Sequence, residues 1–339
     1  MSKQPAVATV TTLKASVKES LSFIYYYLNI GVDHMYLYFD DPNDDVISQI
    51  EHIDRLTIIR CSESYWQNVG ISPKSQVQQK QQYNATETFN MARSAGIEWL
   101  IHVDHDELIY GSESIHDYFK SIPDTVDVVN FPVMEAMPQK LNYENAISEI
   151  RYFKVYDALP STFKQFSVNE KNSKLQHENS KWWFRKRKIA RLFHSRHAKY
   201  NDGKNFLHGH QVGKSASRTS ATIKSIGCHL PIPIENSSPE LMISQSFYVL
   251  HYDCMGFDSW KNKWSTRLSG TSNFDTQQFS AYRNSILDQF EKHSRSDTLT
   301  NLYNKFYHLN SYEKVILLLT GLLKNIHHDP MLFNEPSSD

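Results

Sequence analysis

The sequence predicts an α/β protein: a mostly parallel sheet flanked by helices, followed by a helical C-terminal part. Three observations carry this. Over the first 135 residues, short apolar runs alternate with segments of helical length and spacing, as repeated strand–helix–strand units require. An apolar run from Trp99 to Val103 leads straight into an acid-rich turn. Beyond about Gly256 the apolar residues recur at helical spacing.

The elements follow in order. Val7 to Leu13 is rich in β-branched residues and reads as a strand. Val17 to Ile30 sets Val17, Leu21, Ile24 and Leu28 at helical spacing, with Gly31 as its stop. Met35 to Phe39 is a short apolar strand closed by the turn Asp40-Asp41-Pro42-Asn43-Asp44-Asp45. Val46 to Ile53 reads as helical and Leu56 to Arg60 as a strand. Ser75 to Ala95 contains no Pro or Gly and reads as a long, mostly polar helix. Trp99 to Val103 and Val126 to Phe131 are further strands. From about Pro138 to Ser225 the pattern is less regular. A basic stretch there, Lys181 to Lys199, is interleaved with Trp182, Trp183, Phe184 and Phe193. Phe279 to Phe290 and Tyr312 to Leu323 are the clearest helical periods near the end.

Composition narrows the class. The 339 residues are enough to bury a core without disulfide or metal staples. With 36 basic and 37 acidic residues the formal net charge is −1, so whole-chain charge predicts neither nucleic-acid nor membrane binding. Cys61, Cys228 and Cys254 are few, odd in number and widely separated. They suit a reducing compartment and form no zinc-ligand pattern. The start, MSKQPAVATV, lacks the apolar core of a signal peptide. The longest apolar run, Val315 to Leu323, is broken by Thr320 and Gly321. A bilayer-crossing helix needs roughly 20 apolar residues. The expectation is a soluble, cytoplasmic protein, with peripheral contact at the inner face of a membrane as a further reading.

The sharpest chemical feature is Asp104-His105-Asp106-Glu107, directly after the apolar strand. Ligands of open α/β sheets bind at the carboxyl ends of strands. Two carboxylates one residue apart on such a turn can hold a divalent cation, which in turn can hold a diphosphate. The plain alternative is an acidic surface turn. His251, after the apolar Phe247 to Leu250, is either a third metal ligand or a hydrogen-bonded core histidine, and His229 has the same ambiguity. Gly213 to Arg218 is a small-residue stretch with two cations, Lys214 and Arg218. It reads either as a loop wrapping a phosphate or as an exposed basic loop. The 181–199 stretch can be a nucleic-acid surface, a solvated basic face, or a surface for anionic lipid or an acidic acceptor. The last two readings fit the balanced charge of the whole chain better. The apolar Tyr312 to Leu323 segment is core or membrane anchor.

These segments match a known pattern. Ile30-Gly-Val-Asp-His-Met-Tyr-Leu-Tyr-Phe-Asp-Asp-Pro42, the Asp104/Asp106/Glu107 turn, Phe131-Pro-Val-Met-Glu135-Ala, Gly213-Lys-Ser-Ala, Gly227-Cys-His229-Leu-Pro and Leu250-His-Tyr252 occur in that order. Phe257-Asp-Ser-Trp260-Lys261 follows. The chain, over about residues 7–265, resembles bacterial family 2 glycosyltransferases of the type related to family 92 galactosyltransferases. It departs from them at Lys14-Ala15-Ser16, where the family has Lys-Asn-Glu, at Ser22, where the following helix commonly carries an acid, and at His105.

The resemblance implies a GT-A-type, Rossmann-like fold, a UDP-sugar donor, Mn²⁺ or Mg²⁺, and inversion at the anomeric carbon. It implies donor contacts at Lys14, Asp40, Asp41, Asp104, Lys214 and Arg218, and a metal held by Asp104, Asp106 and His251. An inverting displacement needs a base facing the acceptor. Glu135, at the end of an apolar run, is the expected base and Asp253 its competitor. The expected division is a nucleotide-sugar half over 1–135, an acceptor half over 136–255, and a helical region over 256–339. The expected reaction moves a hexose, galactose-like as first guess, to a surface glycan such as lipopolysaccharide or capsule, an oligosaccharide or glycolipid acceptor, with no nucleic acid. Two rival readings are a metal-dependent phosphohydrolase on the same acids and a nucleic-acid binder using 181–199.

Overall fold

A computed structural model describes residues 4–157, 160–168, 170–198, 206–269, 281–293 and 296–336. Among these, a seven-stranded sheet runs in the spatial order β12 (Leu241–Ile243), β6 (Val128–Phe131), β9 (Lys214–Arg218), β4 (Trp99–His102), β1 (Val7–Leu13), β2 (His34–Phe39) and β3 (Leu56–Arg60). The β4–β1–β2–β3 pairs and the β12–β6 pair are parallel, and β9 alone is reversed, antiparallel to both its neighbours. A second sheet has the order β14 (Leu323–Asn325), β8 (Tyr152–Val155), β7 (Val133–Ala136), β13 (Phe247–His251) and β5 (Glu107–Gly111). A short hairpin joins β10 (Ile223–Ile226) and β11 (Pro231–Pro233).

The helices are α1 (Val17–Asn29), α2 (Ile47–Ile50), α3 (Glu63–Asn68), α4 (Val77–Ser94), α5 (Ile115–Lys120) and α6 (Ala146–Glu149). They continue with α7 (Glu170–Leu192), α8 (Phe257–Leu268), α9 (Ala281–Lys292), α10 (Ser296–Tyr307) and α11 (Ser311–Leu319). Helix α1 starts in a reciprocal cap between Ser16 and Glu19 and stops at Gly31, whose φ of +94° suits glycine.

Strand alternation explains why the large sheet is apolar on both faces. Val7, Leu13, Met35, Leu37 and Phe39 join Phe23, Ile24 and Tyr27 of α1 in one core. Ala8, Val10, Tyr36 and Tyr38 join Ala85 and Phe89 of α4 in another. Period-2 residues thus feed opposite layers, and each layer is covered by helix. A third cluster packs α8, α9 and α10 around Trp260, Trp264 and Tyr303.

The chain crosses from the large sheet to the small one three times: β4 to β5, β6 to β7 across Pro132, and β12 to β13. The first crossing is the Asp104–Glu107 turn, so the acids sit where the two sheets meet.

Several expectations change. Gly213 to Arg218 is no loop: Lys214–Arg218 is the buried strand β9 between β4 and β6. Small side chains at Ser215, Ala216 and Ser217 fit that central position. Gly213 is required just before it, because its φ is +80° and a Cβ there would stand 2.1 Å from the Phe131 carbonyl oxygen. The Val46–Ile53 helix shrinks to a single turn, and the unanticipated α3 opens on a Ser62 cap. The irregular middle contains the long helix α7. The Tyr312–Leu323 segment leaves the helix at Leu319 and re-enters a sheet as β14, so the C-terminal region is not wholly helical. Phe279 and Lys199 lie outside the described residues. No helix of the described residues is long and apolar enough to cross a membrane.

Candidate active site

The turn after β4 builds the acidic wall. The Glu107 N–H donates to the Asp104 carbonyl (3.0 Å), and the Asp104 N–H donates to Glu107 Oε2 (2.8 Å). This fold leaves about a quarter of the Asp104 and Asp106 side chains exposed, at 25% and 23%, and buries Glu107. The buried Lys214 reaches in from the start of β9. Its Nζ lies 2.8 Å from Asp104 Oδ2 and 3.0 Å from Glu107 Oε2, and donates to the Cys228 carbonyl at 2.7 Å.

The charges sort by their neighbours. Burial alone would raise Asp104, but Lys214 overrides it and holds the carboxyl well below the usual range. Burial pushes Glu107 the other way, up to about 8, against the pull of Lys214. Burial opposes the Lys214 charge too, but Asp104 and Glu107 together raise its proton affinity. The trio shares charge, and Lys214 is its counter-ion.

Three imidazoles lie beside this trio. The ring centroids of His229 and His210 are 4.3 Å apart, and those of His210 and His251 are 4.6 Å apart. His210 Nε2 is 2.8 Å from Glu107 Oε1, and His251 Nε2 is 3.9 Å from Asp106 Oδ2. Burial lowers the proton affinity of all three rings, His229 to about 3. The Nδ1 atoms of His210 and His251 are buried with no protein partner. Glu107, His210 and His251 each bring a ligand atom within 4.8 Å of the others.

A buried polar row runs from here across the smaller sheet. Register sets Glu107 on β5 beside His251 on β13, His251 beside Glu135 on β7, and Glu135 beside Lys154 on β8. Residues directly opposite one another share a sheet face. Residues 206–210 cross that face. The Phe206 carbonyl accepts from Lys154 (3.2 Å), and the amides of His208 and Gly209 donate to the two Glu135 oxygens. Gly209 is needed for this approach, since a Cβ there would stand 2.3 Å from the His251 ring. Burial and the nearby Asp253 charge push Glu135 up to about 7, against Lys154 and the two amides. Asp253 itself, mostly but not fully buried, lies 2.9 Å from Lys263, which against the effect of burial holds it far below the usual carboxylate range.

The remaining expected residues are spread. Asp40, at the end of β2, binds exposed Lys14 at 3.2 Å and buried Lys80 of α4 at 3.3 Å. Exposed Asp41 caps its own turn through the Asn43 amide. Arg218 is not brought to the acids. It stands opposite Trp99, at the far end of β9 from Lys214, about 13 Å away at ~3.3 Å per residue. There it pairs with Glu98, stacks on Trp99 and donates to the Val126 carbonyl. An extended strand cannot turn both its cations onto one diphosphate.

Sequence reasoning missed Lys80, Gln81, Lys154, His208 and His210. Gln81 donates to Asp104 Oδ1 at 2.6 Å. The His208-Gly209-His210 triplet was the available signal: two imidazoles around a residue that permits close backbone approach.

The comparisons bear on the same stretch of chain. The profile of glycosyltransferase family 92 matches residues 7–290. Two Arabidopsis thaliana proteins described as glycosyltransferase-like are 28% and 24% identical to this chain, each over 44% of it. Those matches span 34% and 38% of the plant proteins, so this chain aligns with little more than a third of each. The matched residues include the Asp104 turn, Glu135, Lys214 and His251, and by the extent of that match the chain belongs to glycosyltransferase family 92.

Proposed function

We propose that the protein is an inverting, metal-dependent glycosyltransferase of GT-A type, moving a hexose from a UDP-sugar to an oligosaccharide or glycolipid acceptor. Family membership supports the reaction class. The observation that carries the site is the pair Asp104 and Asp106, partly exposed at the carboxyl end of a strand in a mostly parallel sheet, with His251 facing Asp106 at 3.9 Å. Carboxylates and imidazoles with two orphaned buried Nδ1 atoms suit Mn²⁺, whereas Mg²⁺ favours oxygen ligands. Asp104, Asp106 and His251 would hold the ion, beside the Glu107, His210 and His251 cluster whose ligand atoms already lie within 4.8 Å of one another. When bound, the cation supplies charge neutralisation for the leaving diphosphate.

The chain's own groups supply the rest. Lys214 keeps Asp104 ionised and adds fixed positive charge beside the leaving group. Asp40, between Lys14 and Lys80, faces the same sheet end from β2 and is assigned to the nucleotide. In the transfer, the acceptor hydroxyl oxygen bonds to the anomeric carbon as the bond to the β-phosphate oxygen breaks. UDP leaves with that electron pair, and the acceptor proton passes to a carboxylate. Glu135 suits that role better than Asp253, because a proton affinity near 7 matches a base working at neutral pH. Asp253 is a held anion on Lys263. Glu135 is sealed by the His208 and Gly209 amides, so an acceptor reaches it only by displacing them.

The test is a donor screen by UDP release with Mn²⁺, with EDTA as control, followed by Glu135→Gln. Metal-stimulated UDP release that Asp106→Ala abolishes supports the reading. Full activity in EDTA overturns the metal role. Glu135→Gln should cut turnover about 10²–10⁴-fold while UDP binding stays near wild type. If instead Asp253→Asn is the variant that stops turnover, the base is Asp253.

A further inference from the structure

The C-terminal half of α7 presents an exposed outward face. Trp183, Arg187 and Ala190 mark its buried side. On the opposite side Trp182, Ile189 and Leu192 are exposed, Leu192 at 76%. Lys181, Arg185 and Lys188 are interleaved with them and exposed. From Lys181 to Ala198 the chain contains no Asp or Glu; Glu178 lies one turn earlier. The Arg185 guanidinium lies 5.4 Å from the Trp182 ring.

Helix α11 extends this face. The two helices are linked through residues just beyond their ends: Arg196, four residues past α7, pairs with Glu313 of α11 at 2.7 Å, and Gly321, two residues past α11, has its Cβ position 3.6 Å from Lys186 Nζ of α7. Tyr312, Val315 and Leu319 recur at i, i+3 and i+7 along it, all exposed, Leu319 at 83%. Its one acid, Glu313, is buried and already paired.

We infer that the α7–α11 face is a docking surface for an anionic lipid bilayer, entered by Trp182, Ile189, Leu192 and Leu319 and held by Lys181, Arg185 and Lys188. Charge complementarity favours this occupant. Large apolar side chains beside uncompensated cations match the boundary between acyl chains and anionic headgroups. A nucleic acid would use the cations but leave the aliphatic side chains in water. The inference is independent of the proposed transfer reaction.

The molecule carries its own probe. Five of its six tryptophans are buried at 3% exposure or less, and Trp182 is 57% exposed. The full chain is mixed with vesicles of phosphatidylcholine alone, or with added phosphatidylglycerol, at low and high salt. Expected is co-sedimentation with the anionic vesicles at low salt only, with a blue shift of tryptophan emission. Trp182→Phe should abolish the shift while most binding remains. Lys181→Gln, Arg185→Gln and Lys188→Gln together should weaken binding by on the order of a hundredfold, at about fivefold per charge. Thermal melting verifies that this variant folds; if it does not, Arg185→Gln alone is read against the same fivefold. The inference is overturned by absence of vesicle binding, by equal binding to neutral vesicles, or by bound protein whose emission is unmoved. It is also overturned if DNA or a second copy of the chain occupies this face while vesicles stay unbound.

Discussion

At the β4–β5 turn, Asp104 and Asp106 keep about a quarter of their side chains in solvent, whereas Glu135 and Lys154 on the smaller sheet are sealed. Both regions hold carboxylates, imidazoles and a lysine. At the turn, Lys214 is bound by two carboxylates and its charge is reinforced. On the row, burial dominates: Glu135 is pushed up to about 7 and Lys154 down to about 8. Groups stay ionised where opposite charge outweighs burial, as at Asp104 and Lys214, and drift towards neutrality where burial outweighs it, as at Glu107, Glu135 and Lys154. An open charged turn suits a diphosphate and its cation. A sealed row near neutral proton affinity suits proton transfer or the positioning of the rings beside it.

Four substitutions sharpen or break this contrast. The largest effect falls on Lys214→Met. It leaves Glu107 and Asp104 without their cation, and breaking such a buried arrangement typically costs about 3–5 kcal/mol. Urea unfolding measures it, and a loss under about 1 kcal/mol shows that Lys214 is not the counter-ion described. Next comes Asp106→Asn. Its partly exposed side chain should cost under about 0.5 kcal/mol of stability, while UDP release falls about 10²–10³-fold. A comparable loss in both measurements would make Asp106 a structural acid.

Arg218→Gln should cost about 1–3 kcal/mol through its lost pairing and stacking at Glu98 and Trp99. The UDP titration should be unchanged, because Arg218 stands at the other end of the strand. A weaker UDP affinity would return Arg218 to the donor site.

The last test is a pH slope. Folded Glu135 binds its proton more tightly, near 7, than at its ordinary value of 4.5. The folded state therefore holds more protons between about pH 4.5 and 7, and the Glu135 contribution is lost as pH rises through that window. Glu135→Gln removes this loss. The stability of the variant relative to wild type should rise from pH 5 to 7 and then level, as read by denaturant midpoints. A flat difference places Glu135 at an ordinary proton affinity. Lys154 acts only above about pH 8, where its lowered proton affinity gives the opposite slope.

Most of the alternating strands and helices to Phe131 and the acid turn after Trp99–Val103 were legible in the residues themselves, but α3, β5 and α5 were not. The legible signals are local: a β-branched run at Val7–Leu13, apolar residues at helical spacing from Val17 to Leu28, a glycine stop at Gly31, and acids placed where an apolar strand ends. Alternation is also enough to say that both faces of such a strand are covered. What the sequence could not determine depended on non-local register. Nothing near Lys214 announces that it lies between β4 and β6, so a small-residue strand looked like a loop. Being a strand then sent Lys214 and Arg218 to opposite ends of the sheet. The row Glu107–His251–Glu135–Lys154 joins residues up to 144 positions apart, and only sheet pairing puts them side by side. Local chemistry settled most elements of the first half of the chain and which acids face the strand end. Tertiary pairing decided which charges meet, because burial and counter-ions come from residues far away in the chain.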